Sequence, residues 1–196
     1  MAQTSTTLIS AKSHITSITG TDISLSATSG VYTISATSTV LTGAGKLAVG
    51  DLITVSGSAS NNSTFTVATV VSTTELTVSE VVTSENADGS STITLDHVGF
   101  VSDKAKGDGY YSQPDGVHTV AYQVANDFNA DATIKMQGTL ATTPTEDDWF
   151  DIPGTTFTSD TSTVTSSANF TGNYVWVRSK TQLMTAGTVN SILLNS

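Results

Sequence analysis

The stretch FTGNYVWVRSK, residues 170–180, decides the fold. Successive side chains of an extended chain point to opposite faces. Val175 and Val177 then share one face, and Tyr174, Trp176 and Arg178 share the other. Both faces carry bulk, so the pattern predicts a central strand covered on both sides. Thr171-Gly172-Asn173, just before it, is turn chemistry. The Trp and Tyr rings would each bury roughly 150–250 Å² in such a strand.

The rest of the chain repeats this alternation in shorter pieces. Residues 22–26, 31–35, 52–57, 64–71, 75–79 and 91–96 alternate or run apolar, with Gly, Asn and Ser clusters between them. Residues 86–89 (NADG) read as a turn. Residues 117–124 and 132–140 resume the pattern, with 126–131 as an expected hairpin connection. Pro153-Gly154 stops a short strand at 148–152, and 187–194 is expected to be the last strand. No stretch has the periodicity of a helix longer than about two turns. The fold class is therefore all-β, as two small antiparallel β-domains: a barrel or sandwich over residues 21–98 and a sandwich over 109–196. Residues 99–108, with Gly, Asp and two Lys, are expected to link them.

Residues 1–20 stand apart as an N-terminal arm. Leu8, Ile9, Ile15 and Ile18 are its apolar residues, with Lys12 and His14 between them. β-Branched residues abound, so the arm is expected to be extended, either as an edge strand pair or as an arm docked on a neighbour. Its residues 2–18 are the candidates for strand addition to a partner.

Composition narrows the function. Of 196 residues 37% are hydrophobic and only 12% charged, Thr and Ser making up the difference. Thr keeps β-propensity on a solvated strand face without adding apolar surface. Seventeen acidic and seven basic residues give a net charge of −10, which argues against a nucleic-acid backbone or an anionic membrane as partner. The absence of cysteine excludes disulfides, thiolate nucleophiles and Cys-ligated zinc. The N-terminal residues have neither a basic region nor an apolar core of the secretory kind, so synthesis in a cytoplasm is expected.

Four groups of residues bear on chemistry. Glu146, Asp147, Asp148 and Asp151 form the densest acidic cluster, but lack the ordered ligand spacing of a calcium loop and read as a solvated loop. Residues 103–108 (DKAKGD) with Asp115 are a weaker oxygen-ligand candidate, because two lysines would compete with a cation. His14, His97 and His118 are far apart, and no G-x-S-x-G elbow accompanies them. No catalytic residue, metal ligand or cofactor is assigned. Tyr110, Tyr111, Trp149 and Trp176 suit either a sugar-stacking platform or core packing, and packing is the preferred reading. Asn61 and Asn62 open N-x-[ST] sequons and are expected to be loop residues.

Two parts of the chain resemble known families. GDLITVSGSASNNSTFTVATVVSTTELTV, residues 50–78, is similar to a small β-domain of tailed-bacteriophage virion proteins. GYYSQPDGVHTVAYQV, IKMQGTLATTPTEDDWFDI, NFTGNYVWVRSK and GTVNSILLN cover most of residues 109–195 in that order. They resemble the C-terminal part of virion structural proteins of marine tailed phages, including those infecting cyanobacteria. The resemblance implies a non-enzymatic building block on the particle exterior, foremost an outer-capsid decoration or cement protein made in the host cytoplasm. It implies other virion proteins as partners, the major capsid protein or neck and tail proteins, together with copies of the chain itself. A neck, collar or tail component is the alternative. From other classes come a carbohydrate-binding adhesin using Tyr110, Tyr111 or Trp149, and a hydrolase. The shared positions read as fold positions: Gly109, Gly116 and Gly172 as turns, Pro114-Asp115-Gly116 as a tight turn, Trp149 and Trp176 as packing.

Overall fold

The computed structural model describes residues 5–111, 116–159 and 164–195, with Tyr111 described by its backbone alone. The protein is all-β, and its paired strands are antiparallel. The strands are β1 (Ser5–Ile9), β2 (Lys12–Ser13), β3 (Ile18–Gly20), β4 (Ile23–Thr28), β5 (Val31–Ala36), β6 (Asp51–Ser56), β7 (Thr64–Ser72), β8 (Glu75–Val78) and β9 (Ile93–Val101). They continue as β10 (Ala105–Lys106), β11 (Val117–Val124), β12 (Thr133–Thr139), β13 (Phe150–Asp151), β14 (Phe157–Thr158), β15 (Thr165–Thr171), β16 (Trp176–Gln182) and β17 (Thr188–Asn195). Among the described residues the only helical turns are short 3-10 segments, Asp108–Tyr111 and Glu146–Asp148.

The chain divides into two compact units. One comprises residues 1–14 with 101–196, the other residues 15–100. The chain enters the second unit between His14 and Ile15 and leaves it within β9. That exit, between Phe100 and Val101, falls within the segment expected as a linker, 99–108, which also holds the end of β9 and all of β10.

In the unit of residues 15–100 the strands run in the order β9-β6-β7-β8-β5-β4, with β3 paired to β9. Ile23 and Leu25 from one end of this order share a core with Ile18, Ile93 and Leu95 from the other. The sheet therefore curls on itself. The bend is permitted by register shifts in β7 at Val67–Thr69 and Val70–Ser72, since a bulge sharpens local twist. Ile34, Ile53, Leu41 and Leu76 are fully buried at its centre, each contributing roughly 1.5–3 kcal/mol. The Thr-rich outer faces pair their hydroxyls across strands, Thr54 with Thr64 at 2.9 Å and Thr69 with Thr77 at 2.7 Å.

The other unit is β-sandwich-like. One sheet runs β1-β17-β11-β15, with β2 beside β17. The second holds β12 next to β16, with β13 and β14 on the far side of β12 and β10 on β16. His118, Val120, Tyr122 and Val124 alternate inward from β11. Val189 and Ile192 both point inward although they are three apart, because the pairing of β17 with β11 slips at Asn190. Tyr122 ties the two sheets together. Its ring stacks on Phe157 at 5.7 Å, and its hydroxyl donates to the Thr155 carbonyl at 2.7 Å. Burial raises the pKa of this phenol, so it stays a donor.

The turn expected at Thr171-Gly172-Asn173 is present, and the strand expected after it begins at Trp176 rather than at Tyr174. Phe170 and Thr171 end β15 in the first sheet, and Trp176 begins β16 in the second. The chain turns the corner at Gly172, whose φ is +153°. A side chain there would lie 2.5 Å from the ring of Tyr174. Residues 126–131 are not a hairpin connection. Both edges of β11 are already taken, by β15 and β17, so β12 joins the other sheet. Of the two alternatives for the N-terminal segment, the edge strand is the one formed by residues 5–9. Ser5–Ile9 pair in register with Ile192–Asn195 of β17, whereas Ile15 and Ile18 pack in the other unit. The apolar residues of this segment find complements within the same chain, and burial there competes directly with docking elsewhere. Residues 2–4 and the Pro114-Asp115 turn lie outside the described residues.

Candidate functional site

Alternation along β16 sends Val177, Ser179 and Thr181 into the sandwich and Trp176, Arg178 and Lys180 to its outer face. The neighbouring strands extend that face. Gln137 sits opposite Arg178, Lys135 opposite Lys180, and Lys106 opposite Trp176. With Lys104, this one face carries Lys104, Lys106, Lys135, Arg178 and Lys180, five of the chain's seven basic residues. The other two are Lys12 and Lys46.

Arg178 anchors the middle of the face and is only 5% exposed. Its guanidinium donates to both carboxylate oxygens of Glu146, at 2.9 and 2.7 Å, and its Nε donates to Gln137 at 3.0 Å. Its plane lies over the Trp149 ring, 4.3 Å from the centroid. The two-pronged pairing fixes the loop of residues 141–149 over β16 and β12. Asp148 holds the start of the short turn by accepting from the backbone N–H and the hydroxyl of Thr145, at 2.7 and 2.8 Å. These bonds depress its pKa. Asp151 accepts from Lys135 at 2.6 Å and Gln137 at 2.9 Å. Burial pushes the Asp151 pKa up, but those two bonds and the charges of Lys135 and Lys180 outweigh it, and the net shift is downward. Three of the four acidic residues considered for calcium thus serve internal bonds.

At one end of the face, Lys104 lies 4.5 Å from the Trp176 ring centroid and Lys106 4.2 Å from that of Tyr110. The two rings meet tilted by 53° at 5.0 Å. Trp176 donates its indole N–H to the Thr142 carbonyl at 3.0 Å. Tyr110 remains 44% exposed. At the other end stands Lys180, half-buried, with no hydrogen-bond or ion-pair partner among the described residues. Burial, then the charges of Arg178 and Lys135, lower its pKa, against the opposing charges of Glu146 and Asp151.

The structure brings together three of the four aromatic candidates, Tyr110, Trp149 and Trp176, on this face; the Tyr111 side chain lies outside the described residues. Leu8 and Ile9 belong to the opposite sheet of the same unit, and Ile15 and Ile18 to the other unit. The histidines do not converge. His97 is buried beside Asp51, Nε2 to Oδ1 3.5 Å, while its Nδ1 accepts from the Ile15 N–H at 3.3 Å. That arrangement closes both ring nitrogens toward the interior. His118 stacks on Phe170 at 4.8 Å. Asn61, the first sequon residue, is buried and bonds Thr83 and Glu85, a loop-building role. The clustering of Lys104, Lys106, Lys135 and Lys180 was not expected from the sequence. The W-V-R-S-K alternation was the available signal for part of it.

Among the described residues no group of three His, Asp or Glu side chains is arranged to hold a metal ion, and no helix is long and apolar enough to cross a membrane. No family model matches the chain, and no curated protein matches it.

Proposed function

We propose that this chain is a non-enzymatic structural protein of a tailed-bacteriophage virion, a decoration or cement protein on the outer head surface. One observation carries the reading. The four stretches that resemble marine-phage virion proteins contribute β11, β12, β13, β16 and β17, with the corner at Gly172, and so make up most of one folding unit. A resemblance spread along the sequence thus coincides with a physical domain. The polar chemistry of the chain agrees with a building block. Asp22 accepts from the backbone of Ser38 and Thr39, Glu85 from Ala59, Asp88 from Ser90 and Ser91, and Glu80 from Thr66. The acidic side chains hold loops in place, and loops so held present a fixed surface to neighbouring subunits. Such a protein acts by binding the assembled particle in preference to its parts, which stabilises the particle by mass action.

Immunogold labelling of intact particles of the encoding phage tests this. Label spread over the head is expected. Label confined to the neck or tail overturns the decoration role, and particles without label overturn the virion reading.

A further inference from the structure

The sheet β1-β17-β11-β15 is nearly free of charge on a chain whose net charge is −10. β1, β11, β15 and β17 contain no Asp, Glu, Lys or Arg, and Lys12 in β2 is the one such residue in the strands of this sheet. Open strand edges are normally blunted, because a row of unpaired backbone groups invites another strand. Among the described residues the other edges follow that rule. β1 carries a bulge between Thr7 and Ile9. β4 is covered by the segment around Glu85, which exchanges both backbone bonds with Leu25, at 2.9 and 2.8 Å. β2, β10, β13 and β14 are two residues long, and β3 is three. β15 departs from the rule. Thr165–Thr171 is seven residues long, pairs in unbroken register with β11 on one side, and holds no proline, glycine or charge.

We propose that the open edge of β15 pairs with the same edge of a second copy of this chain, antiparallel about a two-fold axis at Ala168. The Val124 N–H donates to the Val164 carbonyl and the Gly172 N–H to the Gly116 carbonyl, both at 2.8 Å, so the even-numbered residues from 164 to 172 turn their backbone groups toward β11. Thr165, Ser167, Asn169 and Thr171 therefore turn theirs to the open edge. The Thr171 carbonyl also accepts from the Tyr174 hydroxyl at 3.2 Å, and a carbonyl has a second lone pair. A two-fold at Ala168 sets Thr165 opposite the second copy's Thr171 and Ser167 opposite its Asn169, a ladder of about eight hydrogen bonds that uses every open-edge group. The side chains are self-complementary in this register. On the inward side Phe170 meets Ser166, large against small, and Ala168 meets itself. On the outer side hydroxyls meet hydroxyls or an amide. No charge opposes a charge, which is what two copies of net charge −10 each require of the surface they share. This inference stands independently of whether the protein belongs to a virion.

Sedimentation velocity of the full chain over roughly 1–300 μM, the range of a weak interface, tests the proposal. A reversible monomer–dimer equilibrium is expected. Ser167→Pro should weaken it by about tenfold or more. The Ser167 N–H points away from β11, so proline removes an open-edge donor and leaves the ladder to β11 whole. An unchanged circular dichroism spectrum would show that the fold is kept. The chain has no cysteine, so Ala168→Cys gives a second and independent reading. Directly opposed positions of this kind lie about 4.5 Å apart at Cα, within reach of a disulfide. Oxidised glutathione should therefore convert Ala168→Cys to a covalent dimer, and Thr7→Cys, on the opposite edge of the sheet, should stay monomeric. Absence of a dimer at the highest concentration would overturn the proposal. A dimer that Ser167→Pro leaves intact, or equal crosslinking of Thr7→Cys, would overturn the assignment to this edge.

Discussion

Replacing Gly138 by alanine should weaken the sandwich-like unit through a single contact. Gly138 lies in β12, opposite Val177 on one side and Phe150 on the other, so its backbone is held by both neighbours. A methyl group there would lie 2.6 Å from Cδ1 of Tyr174 and 3.0 Å from Cγ and Cε1. Ordinary carbon contacts are about 3.5–4.0 Å, so the ring would have to retreat by roughly 1 Å. It has little room. Its hydroxyl donates to the Thr171 carbonyl at 3.2 Å, its backbone carbonyl accepts from Gly109 at 2.9 Å, and Phe150 and Phe170 flank it at 5.9 and 6.2 Å. Overpacking of this kind costs about 1–3 kcal/mol. Alanine recovers about 0.4–1 kcal/mol by restricting the unfolded chain. The net expectation is a loss of about 1–2 kcal/mol. Both tryptophans, Trp149 and Trp176, lie in this unit, so their fluorescence follows its unfolding in urea even if the two units melt separately. With a slope of about 1–3 kcal/mol/M the midpoint should fall by roughly 0.3–2 M. Tyr174→Ala is destabilising itself, but adding Gly138→Ala to it should cost nothing further. A Gly138→Ala midpoint equal to the parent's, or an equal loss in the Tyr174→Ala background, would refute the packing argument.

Two other outcomes follow from the same structure. Arg178→Lys should destabilise this unit by about 2 kcal/mol, because lysine cannot keep the two-pronged bond to Glu146, the Gln137 bond and the stack on Trp149 together; a urea midpoint within error of the parent's would show that the Arg178 contacts contribute nothing. Stability should also fall in acid. Asp22, Glu85, Asp88, Asp148 and Asp151 all have carboxyl pKa values lowered by folding, so the folded chain binds fewer protons. Their contribution is complete above the unfolded values of about 3.9–4.3 and is lost as pH falls from there through the folded values. Thermal midpoints should therefore hold from pH 7 to about 5 and decline below about pH 4; a flat profile down to pH 2.5 would contradict it.

The strands themselves were legible in the sequence because their cause is local. A side chain's face follows from its position in an extended chain, so V-H-T-V-A-Y-Q-V announces β11 whatever surrounds it. The low charge and the abundance of Thr likewise pointed to solvated strand faces, and the cross-strand Thr pairs occupy them. That Trp176 and Arg178 share one face of their strand was also readable from their spacing. Strand partnership was not readable. Alternation says which side of a strand is apolar but not which neighbour will take its edge hydrogen bonds, and strands of like pattern are interchangeable until the whole set is packed. The turn at Thr171-Gly172-Asn173 was readable, but not, for that reason, that it carries the chain from one sheet to the other. For the same reason residues 126–131 read as a hairpin, although β11 had no free edge to offer β12. The N-terminal segment read as an arm because its partners, β17 for Ser5–Ile9 and the core around Leu95 for Ile18, are more than seventy residues away in the chain. The cationic face has the same origin. Its lysines come from residues 104, 106, 135 and 180, and only the pairing of β10, β16 and β12 brings them side by side.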